Sequence, residues 1–118
     1  MSETSTFYAA VSGEELRAIE ASNFTAFPVR EGLFVASNNE AAEARKARDI
    51  GGIVVRFALH QTIFMDFESC IVDGARSERP PFQYAHEEYR IAPENVDMFN
   101  GYVVYQIEVV DDERVANA

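Results

Sequence analysis

The 118-residue chain contains one cysteine, Cys70, and two histidines, His60 and His86. A lone thiol closes no intramolecular disulfide, and its surroundings, FESCIV, are apolar, so Cys70 reads as inert packing in a protein kept reduced. The histidines stand far apart with no HExxH spacing and no second cysteine, so no metal site is expected. Basic residues are also scarce: ten Lys and Arg face twenty Asp and Glu, a formal charge of −10. Such a field repels phosphate backbones and anionic bilayers, which argues against nucleic acid and membrane as partners. It leaves room for a small anionic cofactor held by a few local arginines or a helix N-terminus. No window approaches the eighteen apolar residues of a membrane span, and MSETSTFYAAV has no basic region before a hydrophobic core. A soluble, cytoplasmic protein is expected. Absent as well are a GxSxG elbow around Ser37, which sits in VASNN, a GxGxxG turn and a GxxxxGK[ST] loop.

What is present suits a single domain. Apolar residues make up 47% and charged residues 25%, the ordinary globular range, and the length allows one core. An ordered core over about residues 6–110 is expected, with frayed ends. TFYAAV (6–11) reads as a strand. SGEELRAIEASNF follows with Ser12 and Glu15 at capping-box spacing, and Val11 and Leu16 placed as a hydrophobic staple. EGLFVAS (31–37) reads as a second strand, and Ser37-Asn38-Asn39-Glu40 repeats the capping signature before AAEARKARDI, which Gly51-Gly52 stops. IVVRFAL (53–59) alternates as a half-buried strand. A short helical piece near 61–65 and a strand near 67–72 come next. ARSERPPFQ (75–83) is a polar loop with adjacent prolines, of a length often functional. EEYRI is then a strand, APENVDMFN a short helix with Pro93 in its first turn, and YVVYQIEVV (102–110) a strand with Val103, Tyr105, Ile107 and Val109 on one face. The sum is an α+β domain.

The polar cluster His86, Glu87, Glu88, Tyr89 stands at the entrance of the EEYRI strand. Alternation sets His86, Glu88 and Arg90 on one face and Glu87, Tyr89 and Ile91 on the other. Tyr89 and Ile91 suit packing, so Glu88 faces a cleft or solvent and Glu87 lies at the rim of the packed side. As a site, Glu88 is a carboxylate able to stabilise positive charge, with His86 and Arg90 beside it. As plain surface, it is one half of an Arg–Glu ion pair on a polar sheet face.

Taken in order, FYAAVSGEELRAIEASNFTAFP, GLFVASNNEAAEARKA, GGIVVRF and HEEYRIAPENVDMFNGYVVYQIEVV resemble the small bacterial ADP-ribosylation/crystallin J1-like proteins, which are similar to a minimal ADP-ribosyltransferase fold. The resemblance runs over about residues 6–110. It implies a split antiparallel β-sandwich with short helices and NAD⁺ in the cleft between two small sheets. It also implies Glu88 as the glutamate that stabilises an oxocarbenium-like state, and His86, two residues earlier, as the residue that helps choose a protein or small-molecule acceptor. Ser37 matches the serine of the second strand, and the loop 75–83 occupies the recognition-loop position. Where the family carries Arg or His on the first strand, this chain has Ala9. Either Tyr8 or Arg56 takes over that cofactor contact, or the fold is kept as a non-catalytic interaction module.

Overall fold

A computed structural model describes the backbone of residues 3–73 and 85–110, and the side chains of 3–69 and 87–110. The anticipated polar loop 75–83, residues 1–2 and residues 111–118 lie outside the described residues, whereas Thr4 and Ser5, expected to belong to a frayed end, are part of the first strand. Strand β1 (Thr4–Val11) leads into helix α1 (Gly13–Ala21). The helix starts as its sequence dictates: Ser12 Oγ accepts the Glu15 N–H at 3.2 Å, and Glu15 Oε1 accepts the Ser12 N–H at 2.9 Å. Two of the orphan amides of the first turn are thereby satisfied reciprocally. Strand β2 (Phe34–Ser37), helix α2 (Glu40–Ile50) and strand β3 (Ile53–His60) follow. A 3₁₀ turn (Gln61–Met65) then leads to β4 (Ser69–Asp73) and β5 (Ala85–Ile91). Past a second 3₁₀ turn (Pro93–Asn95), α3 (Val96–Asn100) and β6 (Val103–Val109) complete the described chain.

Two local expectations are corrected. Helix α2 is capped by Asn39, whose side chain accepts the Ala42 N–H, and not by Ser37. Asn39 is as good an N-cap as serine, and using it leaves Ser37 extended inside β2. Its hydroxyl instead accepts the Asn39 N–H at 3.0 Å, bending the chain toward the helix. On β6 the expected alternation fails at Tyr105. The β3–β6 register shifts between Arg56 and Ala58, Tyr105 takes φ 63°, and its ring is 80% exposed while Ile107 is buried. Extra residues at a bulge turn a side chain off the packed face.

The strands form one antiparallel sheet in the order β4-β5-β2-β1-β3-β6. The expected class, α+β with antiparallel pairing and short helices, stands. The two separate sheets of a sandwich are not found, because hydrogen bonding is continuous across the described strands. The junction is narrow, however. β1 pairs with β3 from Thr4↔His60 to Val11↔Ile53, whereas it meets β2 in the single register pair Tyr8↔Ser37. Two three-stranded halves, β4-β5-β2 and β1-β3-β6, are pinched together at that pair and separate on either side of it.

The main core joins residues of both halves. Phe7, Ala9, Ala36, Val55, Phe57, Tyr89 and Ile91 pack with Ile19 of α1 and Val96 and Phe99 of α3. Phe27, Phe34, Phe57 and Phe99 interlock, with ring centroids 4.6 Å apart for Phe27–Phe34 and 4.8 Å for Phe27–Phe57. These tilted and edge-on contacts match the quadrupoles of aromatic rings. A smaller cluster, Ala10, Val54, Val110 and Ala47, seats α2 on the other face of β1 and β3, with Tyr8 and Ala44 at its margin.

Candidate functional site

The pinch row carries most of the residues that the sequence singles out. Reading across the sheet, Glu88 of β5 pairs with Ser37 of β2, Ser37 with Tyr8 of β1, Tyr8 with Arg56 of β3, and Arg56 with Glu108 of β6. Side chains directly opposite one another on paired strands share a face and lie about 5 Å apart. A carboxylate, a hydroxyl, a phenol and a guanidinium are thus lined up on one side of the sheet, although they come from four strands dispersed in sequence.

Each member is held differently. Glu88 is buried, 6% exposed, and its Oε1 accepts from both Nε and Nη2 of Arg90 at 2.8 Å. The carboxylate therefore sits within the fold, not on a solvated lip, and Arg90 reaches it from the same strand face two residues on. Ser37 is wholly buried, with its hydroxyl engaged by Asn39. Tyr8 is half-buried beside α2. Arg56 donates to Glu108, and that hydrogen bond, with the nearby Glu108, Tyr8 and Glu40, holds its guanidinium even more firmly protonated than usual. Ala9 lies in the main core at 0% exposure. An arginine or histidine there would be buried among apolar side chains, so the first-strand residue that belongs to the row is Tyr8.

His86 is in β5, paired with Val72, and its side chain lies outside those described. Glu87 and Tyr89 turn to the core side, as alternation requires. Glu87 accepts from Ser69 Oγ at 2.9 Å, and Tyr89 packs its ring 5.5 Å from Phe7. Burial chiefly, and the Glu87 charge next, push the Tyr89 phenol above its ordinary value, against a smaller lowering by its hydrogen bond with Ser69.

The two separations of the half-sheets each hold a cavity. On the β5 side, Ser5, Phe7, His60, Glu87 and Tyr89 line about 250 Å³. Between β1 and β2, on the α2 side, Ala10, Val35, Ile50, Arg30, Glu43 and Lys46 line about 290 Å³. In the second, charged side chains meet the backbone of β1. Glu43 Oε1 accepts the Ala10 N–H at 3.2 Å, and Arg30 Nη2 donates to the Ala10 carbonyl at 3.3 Å. Neither residue stands out in the sequence, because Glu43 reads as one more acidic position on a polar helix and Arg30 as loop. Only their meeting at one β1 residue distinguishes them.

Among the described residues no group of three or more His, Cys, Asp or Glu is placed to hold a metal ion, and no helix is long and apolar enough to cross a membrane. Comparison with protein-family models, with curated proteins and with solved structures finds no match for the chain.

Proposed function

We propose that the protein cleaves the nicotinamide–ribose bond of NAD⁺, transferring ADP-ribose to an acceptor or to water. The observation that carries this reading is the pinch row, in which Glu88, Ser37, Tyr8 and Arg56 share one face of the sheet at the point where its halves join. Breaking that bond builds positive charge on the ribose, as in glycoside hydrolysis. A carboxylate placed against a ribose hydroxyl stabilises that charge more in the transition state than in the ground state. Glu88 supplies the carboxylate, Tyr8 the neighbouring polar group and Arg56 a cation for the diphosphate, while the buried Ser37 joins the strands that set Glu88 and Tyr8 in one row. His86 precedes Glu88 by two residues on the same strand, at the position suited to an acceptor.

A second reading, a non-catalytic interaction module on the same fold, is favoured by a specific observation. Arg90 already matches the charge of Glu88, and cavities of about 250 and 290 Å³ take one end of a dinucleotide and not the whole.

The experiment is release of nicotinamide from NAD⁺ by the purified protein, alongside Glu88→Gln with its fold checked by circular dichroism. Turnover that drops by about 10²-fold or more in the variant is expected, the scale of losing one preorganised electrostatic contact. Absence of both turnover and a thermal shift with NAD⁺ would overturn the enzyme reading in favour of the module.

A further inference from the structure

We propose that the cavity on the β5 side of the pinch binds a primary alkylammonium, a small aliphatic amine in its protonated form. Glu87 and Tyr89 line it from the core side of the sheet, away from Glu88, so the proposal is independent of any role for the row.

The cavity follows from the shortness of β2. Its register with β1 ends at Tyr8↔Ser37, and among the described residues no strand continues its line between residues 4–7 of β1 and the start of β5. About 250 Å³ opens there, lined in part by Leu59, Ile63 and the carboxylate of Glu87. Glu87 Oε2 accepts from Ser69 Oγ at 2.9 Å, but no cation balances its charge. The ion pairs among the described residues engage Glu3, Glu15, Glu43, Glu88 and Glu108, and not Glu87. Its neighbour Glu88, by contrast, is held by both Nε and Nη2 of Arg90. Glu87 is also only partly buried, so a ligand can reach it.

These walls select the ligand class. A partly buried carboxylate without a counter-charge calls for a cation, and the formal charge of −10 concentrates cations around the molecule. The lone pairs that Ser69 leaves on Glu87 accept N–H donors, and Ser5 adds a hydroxyl to the same cavity. A quaternary ammonium carries no such donor, and the rings of Phe7 and Tyr89, 3% and 6% exposed, offer too little free face to cage one. A guanidinium fork uses both carboxylate oxygens, one of which is engaged by Ser69, whereas a compact ammonium needs only one. His60, the basic residue of the lining, is turned elsewhere: its Nδ1 lies 2.8 Å from Thr62 Oγ1 and its Nε2 3.6 Å from Glu3. An alkyl chain on the ammonium then lies against Leu59 and Ile63.

The test is a titration of the isotopically labelled protein with butylamine, butanol and butanoate at constant ionic strength and about pH 7, where the amine is protonated, followed by amide chemical shifts. Butylamine is expected to give saturable shifts centred on Ser5, Leu59, Ile63 and Glu87, with the alcohol and the acid binding about tenfold more weakly or worse. Glu87→Gln keeps an oxygen for Ser69 and removes the charge, and Ser5→Leu narrows the cavity from an exposed position of β1. Both are expected to weaken butylamine by about tenfold with dispersed spectra retained. Glu94→Gln removes an equal charge from an exposed residue outside the cavity and should leave binding unchanged. No saturable shift with butylamine up to about 20 mM overturns the proposal. So does butanol binding as tightly as the amine, a Glu87→Gln protein that binds butylamine unchanged, or a Glu94→Gln protein weakened as much as Glu87→Gln, the mark of attraction by net charge alone.

Discussion

Tyr8 of β1 and Ser37 of β2 form the one register pair that joins the two halves of the sheet. Around this pair β1 departs from ordinary strand behaviour. Its Ala10 N–H and carbonyl are taken by Glu43 and Arg30 side chains instead of by a neighbouring strand. Buried backbone groups must be satisfied by something, and here charged side chains stand in for the missing ladder.

Ser37 ties the pinch to the start of α2. Ser37→Ala removes the acceptor for the Asn39 N–H, and a loss of about 1 kcal/mol in urea unfolding is expected. Asn39→Ala removes the cap itself and is expected to cost a similar amount, about 1 kcal/mol.

Glu43 offers a sharper contrast. Glu43→Leu leaves the Ala10 N–H buried without an acceptor and is expected to destabilise by about 2 kcal/mol. Glu43→Gln keeps an oxygen for that N–H and should lose markedly less. Equal losses in chemical denaturation would show that charge, and not the backbone bond, is what Glu43 provides.

Two adjacent glycines should respond very differently. Gly51 has φ 66° at the end of α2, and an added methyl would point into open space, so Gly51→Ala is expected to cost about 1 kcal/mol of left-handed backbone strain. At Gly52 a Cβ would collide with the Val11 carbonyl oxygen, which belongs to the backbone and cannot swing aside. Gly52→Ala is expected to cost about 3 kcal/mol or more, read as the larger drop in melting temperature of the two.

Phe99 is wholly buried and touches Phe34, Phe57, Phe27 and Phe67 at centroid distances from 5.4 to 6.3 Å. Phe99→Ala leaves a cavity at the centre of this cluster and is expected to cost about 3–5 kcal/mol, while Phe99→Leu should recover much of the loss. Denaturant midpoints of the two variants decide it.

Tyr89 gives a pH dependence with a definite sign. Its folded-state pKa is raised above the ordinary 10.0, chiefly by burial, so the fold holds the phenolic proton more tightly than the unfolded chain does. That contribution is complete below about pH 10 and is lost as pH rises through the folded value. Melting temperatures from about pH 9 to about pH 12 should therefore fall less steeply in Tyr89→Phe than in the parent protein.

Much of the fold is legible locally. Ser12 and Glu15 declare the start of α1, Gly51 the end of α2, and the alternation Val55, Phe57, Leu59 the buried side of β3. The separation of Glu87 from Glu88 onto opposite faces also follows from period two alone. Less legible is the choice between Ser37 and Asn39 as cap, since both are good N-caps and only the pairing of Ser37 with Tyr8 and Glu88 keeps it in the strand. The reversal at Tyr105 escapes as well, because a bulge is set by the mismatch between two strands and leaves no mark in either one.

The sequence by itself determined which segments are helical or extended, which side of each strand is apolar, and that no disulfide within the chain closes the fold. Those properties depend on neighbours along the chain, whose spacing is fixed by backbone geometry. The tertiary structure alone decided that Glu88, Ser37, Tyr8 and Arg56 stand in one row, that Ala9 belongs to the core, and that Glu43 and Arg30 meet at Ala10. These depend on register between strands far apart in sequence, which is fixed only when both apolar faces are buried together.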